Sequence, residues 1–333
     1  YDMPLFKRIF ISCSSIIKTS LNLITIYKII RKIHEYDIDI VHTSTALTIQ
    51  GAIAAKLANK PHIWHVRESI GDSGLFKFWF SDQILIKIFN SLSNYITPES
   101  HYAGKVFKKN DPKLKVIYDG VDVKQYTDAK LGLELRRSLG IKQNDLLVGM
   151  VANLSATMKR HDVFIKMAAS LSKKHKNTYF VIFGSHPNKN HRIFNNSYLY
   201  ASNLKNMVLQ LKLKDRFIWG GFRENIPELM SAIDILVHPC EVEGFGRIAI
   251  EAMAAGKPVV GPTTGGVSET VKNNFTGFLV KPGNVDLFAE STEKLIINEP
   301  LRKQFGINAR IHVRDSFSIS THVKTIQNIY ESI

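Results

Sequence analysis

The sequence predicts an α/β protein with two doubly wound, Rossmann-like domains, each built on a parallel sheet with helices on both faces. From Ile38 onward, short β-branched runs alternate with longer helical stretches, and this alternation is typical of parallel sheets. It breaks once, between Asp119 and Asn144, where a turn and a short polar helix replace a strand. The length of 333 residues allows two domains of roughly 150 residues each.

The predicted strands are short runs rich in Val, Ile and aromatic residues. In the first domain they are Ile38–Thr43, His62–Val66, Tyr95–Thr97 and Lys115–Tyr118, with helices predicted at 46–59, 75–93 and 99–109. In the second domain they are Leu146–Val151, Thr178–Phe183, Phe217–Trp219, Ile233–His238, Pro258–Gly261 and Gly277–Val280, with helices at 161–175, 198–211, 225–232, 247–255 and 267–272. We assign residues 1–140 to an amino-terminal domain, 141–315 to a carboxy-terminal domain, and 316–333 to a terminal helix that packs back on the first domain.

The composition is that of an ordinary globular protein, with 44% hydrophobic and 22% charged residues. The two cysteines, Cys13 and Cys240, form neither a disulfide framework nor a zinc site. The net charge of +15 suits a nucleic acid, an anionic membrane or a phosphorylated small molecule. Because Lys18 interrupts the most apolar stretch, Ile9–Tyr27, we expect no spanning helix. The expected location is the cytoplasm, including a peripheral position at the inner face of the cell membrane.

The strongest local signal is HPCEVEGFGRIAIEAMAAGKPVVGPTTGGVSETV, residues 238–271. A buried strand is predicted to end at His238, and Gly244-Phe245-Gly246 then opens a helix. Glycines at a helix start leave backbone N–H groups approachable, and with the helix dipole they form an anion site. A second such turn, 263–266, lies at the same sheet edge. Two anion sites beside the carboxylates Glu243 and Glu251 fit a diphosphate that bears sugars.

Residues 244–249 also match G-x-G-x-x-A, the dinucleotide fingerprint. Its context is different here, because the loop 239–243 separates it from the preceding strand and it does not lie in the first βαβ unit. Hydride transfer is therefore not favoured.

The segment resembles the E-x7-E region of retaining glycosyltransferases of the GT-B fold, family 4. The matching elements are Glu243 to Glu251, EGFG, EAMAAGKPVV and GG-x-x-E. Further matches cover nearly the whole chain from Asp39, at 40–68, 116–122, 149–159, 183–184, 220–224, 234–239 and 277–280.

The resemblance implies two domains that face a cleft, and a hexosyl-type glycosyltransferase. Such an enzyme moves a sugar from a nucleotide diphosphate sugar to a saccharide or lipid-linked acceptor, with retention at the anomeric carbon. It implies bacterial surface polysaccharide synthesis, and neither a metal nor another cofactor. Two other functions stay open: a non-catalytic nucleotide-sugar-binding fragment, and a GT-B sugar-nucleotide epimerase, which the E-x7-E region disfavours.

The resemblance also implies roles for individual residues. Glu251 would hold the donor ribose and Glu243 would face the donor sugar, while the backbone amides of Phe245 and Gly246 contact the sugar or the phosphates. Lys159 would hold the diphosphate. The family has an arginine where this sequence has Asn153, so diphosphate binding is expected to depend more on Lys159 or on its neighbour Arg160.

The other candidates are implied in the same way. Phe222 and Arg223 stand where the nucleotide base docks, and Gly184 follows a strand in the diphosphate region, where a plain tight turn is the alternative. The donor-binding set is completed by Gly244, Thr264, Gly265 and Gly266.

In the amino-terminal domain, His65 is the catalytic candidate, together with Lys159 and Glu243. Its alternative is a core histidine, and His62 is interpreted as structural. Arg67 and Glu68 could bind the acceptor or pair with each other.

Two features of the amino-terminal part have a plain interpretation. Asp37-Ile38-Asp39 spells D-x-D, and we interpret it as a solvated surface turn with no metal. Residues 1–37 contain no glycine, so the first βα units of the family, with their Gly-rich loop, are expected to be missing.

Residues 1–33 carry six basic side chains and one acid. Apolar residues recur at helical spacing, beside a set of basic ones; they are Ile16, Leu23, Ile26, Ile30 and Ile33, with Lys18, Lys28, Arg31 and Lys32. Two interpretations stay open, a core-facing helix with a solvated basic face or contact with an anionic membrane surface. Nucleic acid is not expected as a partner, since no recognition motif is present.

Overall fold

A computed structural model describes residues 22–70, 82–128, 130–155, 157–187 and 195–333. The chain divides into two compact units, Tyr1–Ile117 with Ile326–Ile333 and Tyr118–Thr325. The division falls before residue 118 and not at 140 as predicted, because Val121, Tyr126 and Leu135 are buried in the core of the second unit. The last residues join the first unit, since Ile329 packs with Ile63 and Ile117.

The first unit contains a parallel sheet of three strands in the order β1-β2-β3. The strands are β1 Val41–Thr43, β2 His62–Val66 and β3 Tyr95–Pro98. The described helices of this unit are α1, residues 22–35, and α2 Gln50–Leu57, α3 Asp82–Leu92 and α4 His101–Gly104. The predicted helix at 46–59 starts only at Gln50, and in the turn before it Thr45 and the backbone N–H of Ala46 both donate to the Glu68 carboxylate.

Helix α1 has part of the predicted amphipathic pattern. Ile26 and Ile33 are buried against Ala54, as the core-facing interpretation predicts. Leu23, which the sequence assigned to the same stripe, is 63% exposed. The predicted Ile16 and Lys18 lie outside the described residues.

The strand predicted at Lys115–Tyr118 does not form. The segment does run beside β3, with Lys115 N donating to Ile96 O at 3.0 Å and Ile117 N to Pro98 O at 3.0 Å. The next hydrogen bond donated from β3 to this segment would have to come from the backbone N–H of residue 98. That residue is a proline and has no N–H group. The ladder therefore ends after a single bridge, between Ile96 and Leu114.

The second unit contains a six-stranded parallel sheet in the order β6-β5-β4-β7-β8-β9. The strands are β4 Leu146–Val151, β5 Thr178–Phe183, β6 Phe217–Gly221, β7 Ile235–Val237, β8 Val259–Pro262 and β9 Gly277–Val280. Counted within the unit, this is the order 3-2-1-4-5-6 of the doubly wound nucleotide-binding fold. The predicted α/β fold with parallel sheets is confirmed.

Helices cover both faces of this sheet. They are α5 Gly132–Ser138, α6 His161–Lys174, α7 Asn195–Gln210, α8 Ile226–Ala232, α9 Arg247–Ala254, α10 Val267–Thr270, α11 Val285–Ile297 and α12 Glu299–Ser316. The last helix, α13 Ile319–Glu331, ends in the first unit. One core packs α6, α7 and α11 on the sheet, and the other packs α5, α8 and α9. Within the described ranges, no helix is both long and apolar enough to cross a bilayer.

Arg136 ties α5 to the second sheet. Its Nη1 donates to the Ala232 carbonyl at 2.7 Å and to Asp234 Oδ2 at 2.9 Å, and its Nη2 donates to the Asp145 carbonyl at 2.6 Å. We expect Arg136→Met to lower the free energy of unfolding by about 3 kcal/mol, because the acceptors lose a buried charged donor. Urea denaturation followed by circular dichroism measures the change. The neighbouring exposed Arg137→Met is the control, and an equal loss there would contradict the assignment.

Candidate functional site

The loops after β4, β5 and β6 meet at one edge of the second sheet, where ligands of open α/β sheets bind. A cavity of about 400 Å³ lies at this edge. Its lining brings together five of the residues predicted from the sequence: Asn153, Lys159, Gly184, Phe222 and Arg223. Phe222 is largely exposed there, at 61% of its surface.

A partly buried ionic cluster lies beside the cavity. Lys159 Nζ is 2.5 Å from Glu243 Oε2, and the same oxygen is 3.1 Å from His238 Nε2. Burial alone would raise the pKa of Glu243, but the His238 hydrogen bond and the Lys159 charge hold it well below its ordinary value. Burial opposes the charge of Lys159, yet the Glu243 carboxylate raises its pKa. The pair is therefore ionised near neutral pH. His238 also belongs to this cluster, whereas the sequence analysis identified it only as the end of a predicted strand.

Arg160, the other expected cation, has different partners. Its guanidinium donates to both carboxylate oxygens of Asp162, at 3.0 and 3.1 Å, and to Glu241 Oε1. The hydrogen bond from Arg160 lowers the pKa of the Asp162 carboxyl despite the effect of burial. Of the two basic neighbours, Lys159 is the one that lines the cavity.

Asn153 joins the ends of β4 and β5. Its Oδ1 accepts from the backbone N–H of Ser185 at 2.9 Å. A Cβ atom on Gly184 would lie 2.1 Å from the Ala152 carbonyl oxygen, so this close approach of two backbones requires glycine. The side-chain amide of Asn153 thus helps to shape the lining of the cavity. The arginine that the family has at this position would have added a positive charge there.

The two predicted glycine turns pack directly against each other. Gly266 N donates to the Glu243 carbonyl at 2.8 Å. A Cβ on Gly266 would lie 2.3 Å from Gly244 O and 2.4 Å from Phe245 Cα. Gly246 has a φ of 84°. The two turns can approach this closely because glycine has no side chain, and together they form a single rigid edge of the site.

The side chains of Phe245 and Thr264 hold this edge in place. Phe245 is buried and its ring stacks on Tyr118 with centroids 5.8 Å apart. Thr264 Oγ1 donates to the Glu241 carbonyl at 3.3 Å. A Cβ on Gly265 would lie 2.9 Å from Glu243 O. Because the Phe245 side chain points into the core, only its backbone is available to a ligand.

Glu251 lies one turn inside α9 and is only 7% exposed. Burial raises its pKa, while Arg247, whose Nε donates to Glu251 Oε1 at 3.0 Å, opposes the shift. The Glu251 carboxylate therefore has an environment opposite to that of Glu243, with one hydrogen-bonding side chain instead of two and a raised pKa.

In the first unit, the structure separates the two histidines of β2. His62 is structural, as predicted: its ring nitrogens bond Thr43 Oγ1 at 2.8 Å and Ser93 Oγ at 3.0 Å, and burial lowers its pKa to about 4. His65 is buried on the opposite face of the strand. There its ring stacks on His42, with centroids 5.7 Å apart. His42 Nδ1 in turn bonds the Tyr330 hydroxyl at 2.7 Å. His42 and Tyr330 were not found from the sequence.

The neighbouring charged residues have separate partners. Glu68 accepts from Thr45 and Ala46, and Arg67 Nε is 3.8 Å from Glu99 Oε2. The predicted alternative in which Arg67 and Glu68 pair with each other is therefore not the observed arrangement.

Two groups were assessed as metal ligands. Asp37 and Asp39 are exposed, and each lies 4.0 Å from Lys60 Nζ, as expected for a surface turn. Among the described residues, His238, Cys240 and Glu243 have ligand atoms within 4.8 Å of one another. Burial raises the pKa of the Cys240 thiol to about 12, and Lys159 already occupies the Glu243 carboxylate. A metal at this position would have to displace the thiol proton of Cys240 and the Lys159 ammonium from Glu243.

His161 supports the cavity from α6. It is fully buried, with Nε2 3.3 Å from the Ala152 carbonyl oxygen and Nδ1 3.2 Å from the Tyr200 hydroxyl. A carbonyl only accepts, so Nε2 carries the proton and Nδ1 accepts from Tyr200. Burial lowers the His161 pKa from 6.5 to about 4.

This shift predicts a pH dependence of stability. Because the unfolded state takes up the proton first, stability conferred by neutral His161 is lost as pH falls from about 6.5 to about 4. We expect His161→Gln to flatten the fall in unfolding free energy across this window, while His62 retains its own share. Urea denaturation at four pH values from neutral to acidic measures the slope, and a wild-type slope in the variant would contradict the prediction.

Comparisons with known proteins match the chain to a family and a fold. The sequence profile described as Glycosyl transferases group 1 matches residues 133–312, and that of Glycosyltransferase Family 4 matches residues 9–125. The UDP-Gal:alpha-D-GlcNAc-diphosphoundecaprenol alpha-1,3-galactosyltransferase of Escherichia coli is 27% identical over 325 residues, covering 95% of this chain and 80% of that protein. An uncharacterized glycosyltransferase of Methanocaldococcus jannaschii is 26% identical over 309 residues, covering 88% of this chain and 75% of that protein. Anabaena HepE, solved in complex with UDP, superposes with a TM-score of 0.81 at 26% identity, covering 92% of this chain and 82% of that chain.

Proposed function

This chain belongs to the glycosyl transferases of group 1, with the GT-B fold, and we propose that it moves a hexosyl group from a nucleotide diphosphate sugar to a saccharide or lipid-linked acceptor, with retention at the anomeric carbon. One observation carries the proposal: the cavity lined by Asn153, Lys159 and Phe222 lies at the strand ends where this fold binds nucleotides. HepE, which has also been solved with UDP-glucose, supports a uridine nucleotide as the first donor to test.

In the proposed reaction, the bond between the anomeric carbon and the diphosphate oxygen breaks. The acceptor hydroxyl oxygen forms the new bond, and its proton ends on the released nucleoside diphosphate. Negative charge grows on the diphosphate during this step, so a fixed cation beside it lowers the barrier. Lys159 is suited to this role, because an ammonium has three protons and keeps its bond to Glu243 while it donates to a phosphate oxygen.

The two glycine turns would supply the remaining diphosphate contacts. Helix α9 starts directly after Gly246, so backbone N–H groups and the helix dipole favour an anion at this end. Glu251, one turn further, is placed to accept from ribose hydroxyls, and Glu243 to face the donor sugar. We propose no metal for donor binding, because the positive groups named here already provide the charge.

Surface polysaccharide synthesis is the biological setting that we propose. The E. coli relative is named for a diphosphoundecaprenol-linked acceptor, and a 32% identical relative from Staphylococcus aureus is named for capsular polysaccharide biosynthesis, over 47% of this chain. These names support an acceptor that is itself a lipid-linked or growing saccharide.

A donor screen tests the proposal. UDP-glucose, UDP-galactose, UDP-N-acetylglucosamine and GDP-mannose are added to the chain with EDTA present, and the melting temperature is measured. Donors that stabilise the chain are then assayed for release of nucleoside diphosphate with a diphosphoundecaprenol-linked sugar as acceptor, and the anomeric configuration of the product is read by NMR. Stabilisation without transfer would favour the non-catalytic alternative. A screen in which no donor stabilises the chain would contradict the proposed donor binding. Stabilisation that appears only after Mg²⁺ or Mn²⁺ is added would contradict metal-independent binding.

Lys159→Ala is expected to lower kcat by about 100-fold or more, with a smaller effect on stability, because the growing diphosphate charge loses its cation. The exposed Lys173→Ala is the matched control. Recovery of kcat in the double variant Lys159→Ala, Glu243→Gln would assign the loss to the unpaired carboxylate and not to the missing cation. Turnover at the wild-type level in Lys159→Ala would show that the diphosphate is stabilised elsewhere.

Glu251→Ala is expected to weaken binding of the nucleoside diphosphate by about 1–3 kcal/mol, the range for a hydrogen bond to a charged group. Isothermal calorimetry with UDP measures the change, and the exposed Glu290→Ala is the control. An unchanged affinity in a folded Glu251→Ala protein would contradict the ribose assignment.

A further inference from the structure

Tyr118 contacts both of the segments that carry the two glycine turns. Its ring stacks on Phe245, in the first turn (244–246), with centroids 5.8 Å apart and ring planes inclined by 27°. Its hydroxyl donates to Glu269 Oε2 at 3.0 Å. Glu269 lies in α10, which begins directly after the second turn (263–266). One side chain therefore connects the two turns.

Neighbouring aromatic rings fix the position of the Tyr118 ring. Phe317 approaches both other rings by its edge, with centroids 5.4 Å from the Tyr118 ring and 5.9 Å from the Phe245 ring. Phe245 and Phe317 are both buried. The backbone is held as well, because the Tyr118 carbonyl oxygen accepts from His322 Nδ1 at 2.7 Å. Tyr118 is therefore a fixed support for the groups that it contacts.

The bond to Glu269 joins the Tyr118 hydroxyl to a charged acceptor. Burial and the Glu269 carboxylate raise the pKa of Tyr118 to about 12, so the hydroxyl keeps its proton near neutral pH and donates it to the carboxylate. A hydrogen bond to a charged group is stronger than one between neutral groups. Glu269 N also donates to the Gly266 carbonyl oxygen at 3.0 Å. The bond thus ties Tyr118 to the second turn through a single residue.

From these contacts we propose that Tyr118 is a positioning residue for the donor diphosphate. Its ring and its hydroxyl hold the two glycine turns at the spacing at which their backbone N–H groups bind the diphosphate together. The inference rests on the proposed function, which assigns the diphosphate to these turns. Tyr118 touches no reacting atom. Because a misplacement of about 1 Å can cost on the order of 100-fold in rate, the spacing of the turns has to be fixed by side chains that glycine itself lacks.

Tyr118→Phe keeps the ring and removes only the bond to Glu269. We expect kcat to fall about 10-fold, because the turns no longer match the charge that grows on the diphosphate. The KM for the donor is expected to change by less than about threefold, since Lys159 still binds the ground state. Steady-state kinetics with the donor identified in the screen measures both constants. Tyr179→Phe is the matched control: Tyr179 is also partly buried and lies near the amino end of β5, away from the site.

A double-mutant cycle tests whether the effect belongs to the bond. Glu269→Ala removes the acceptor, whereas Glu269→Gln keeps an acceptor oxygen for the hydroxyl. We expect Glu269→Ala to lower kcat as much as Tyr118→Phe, the double variant to lose no more than either single variant, and Glu269→Gln to stay within about threefold of the wild type. Multiplied losses in the double variant, a Glu269→Gln variant as slow as Glu269→Ala, or wild-type kcat in Tyr118→Phe would overturn the proposal.

Hydrogen exchange read by mass spectrometry tests the same contact without turnover. In Tyr118→Phe we expect faster backbone exchange at 263–270, unchanged exchange in β4 and β5, and a melting temperature close to that of the wild type. Unchanged exchange at 263–270, or faster exchange throughout the second unit, would overturn the proposal. A wild-type chain that transfers no sugar contradicts the proposed function, and hydrogen exchange then decides whether Tyr118 holds the turns.

Discussion

The ion pair between Lys159 and Glu243 connects the two halves of the second unit's sheet. Lys159 follows β4 and Glu243 follows β7, and these strands are neighbours at the point where the strand order reverses. Removing such a pair even partly from water is costly unless further hydrogen bonds satisfy it, and His238 supplies one to the same carboxylate oxygen. The glycine turns then pack on the Glu243 backbone, because Gly266 donates to its carbonyl. The geometry of the candidate donor site therefore depends on residues that the pair holds in place.

Most strands could be predicted because each is a short β-branched run with turn residues on both sides. β4, β5 and β9 have the predicted bounds. Where the predicted strands and helices differ from the structure, the cause is a contact with a residue that is distant in the sequence. Pro98 ends a ladder that the apolar run 115–118 would otherwise continue, and Glu68 binds Thr45 and Ala46 in a turn ahead of α2. The domain boundary was placed too late because no pattern in 121–135 tells which core those residues join.

The candidate site was predictable to the extent that it depends on strand ends. Asn153, Gly184 and Phe222 each follow a strand of the same parallel sheet, so topology alone brings them to one edge. What the sequence does not reveal is pairing. Nothing in the spacing of these residues indicates that Lys159 forms an ion pair with Glu243 while Arg160 pairs with Asp162 and Glu241. The bond between His42 and Tyr330 joins residues 288 positions apart, and such a contact exists only once the chain end has returned to the first unit.

Glu243 and Glu251 show how one motif gives two carboxylates different chemistry. They stand eight residues apart in a buried region, yet the pKa of Glu243 is lowered by His238 and Lys159 and that of Glu251 is raised by burial. Opposite shifts of this kind separate the roles of paired acids. In the proposed reaction, Glu243 stays ionised and its charge is compensated by the ammonium beside it, so an arriving diphosphate meets no net repulsion. Among the described residues, Glu251 pairs with the partly exposed Arg247, and neutral hydroxyl donors such as those of a ribose satisfy a buried carboxylate without adding charge. In this proposal the motif combines an anion site with a hydroxyl site one helical turn apart.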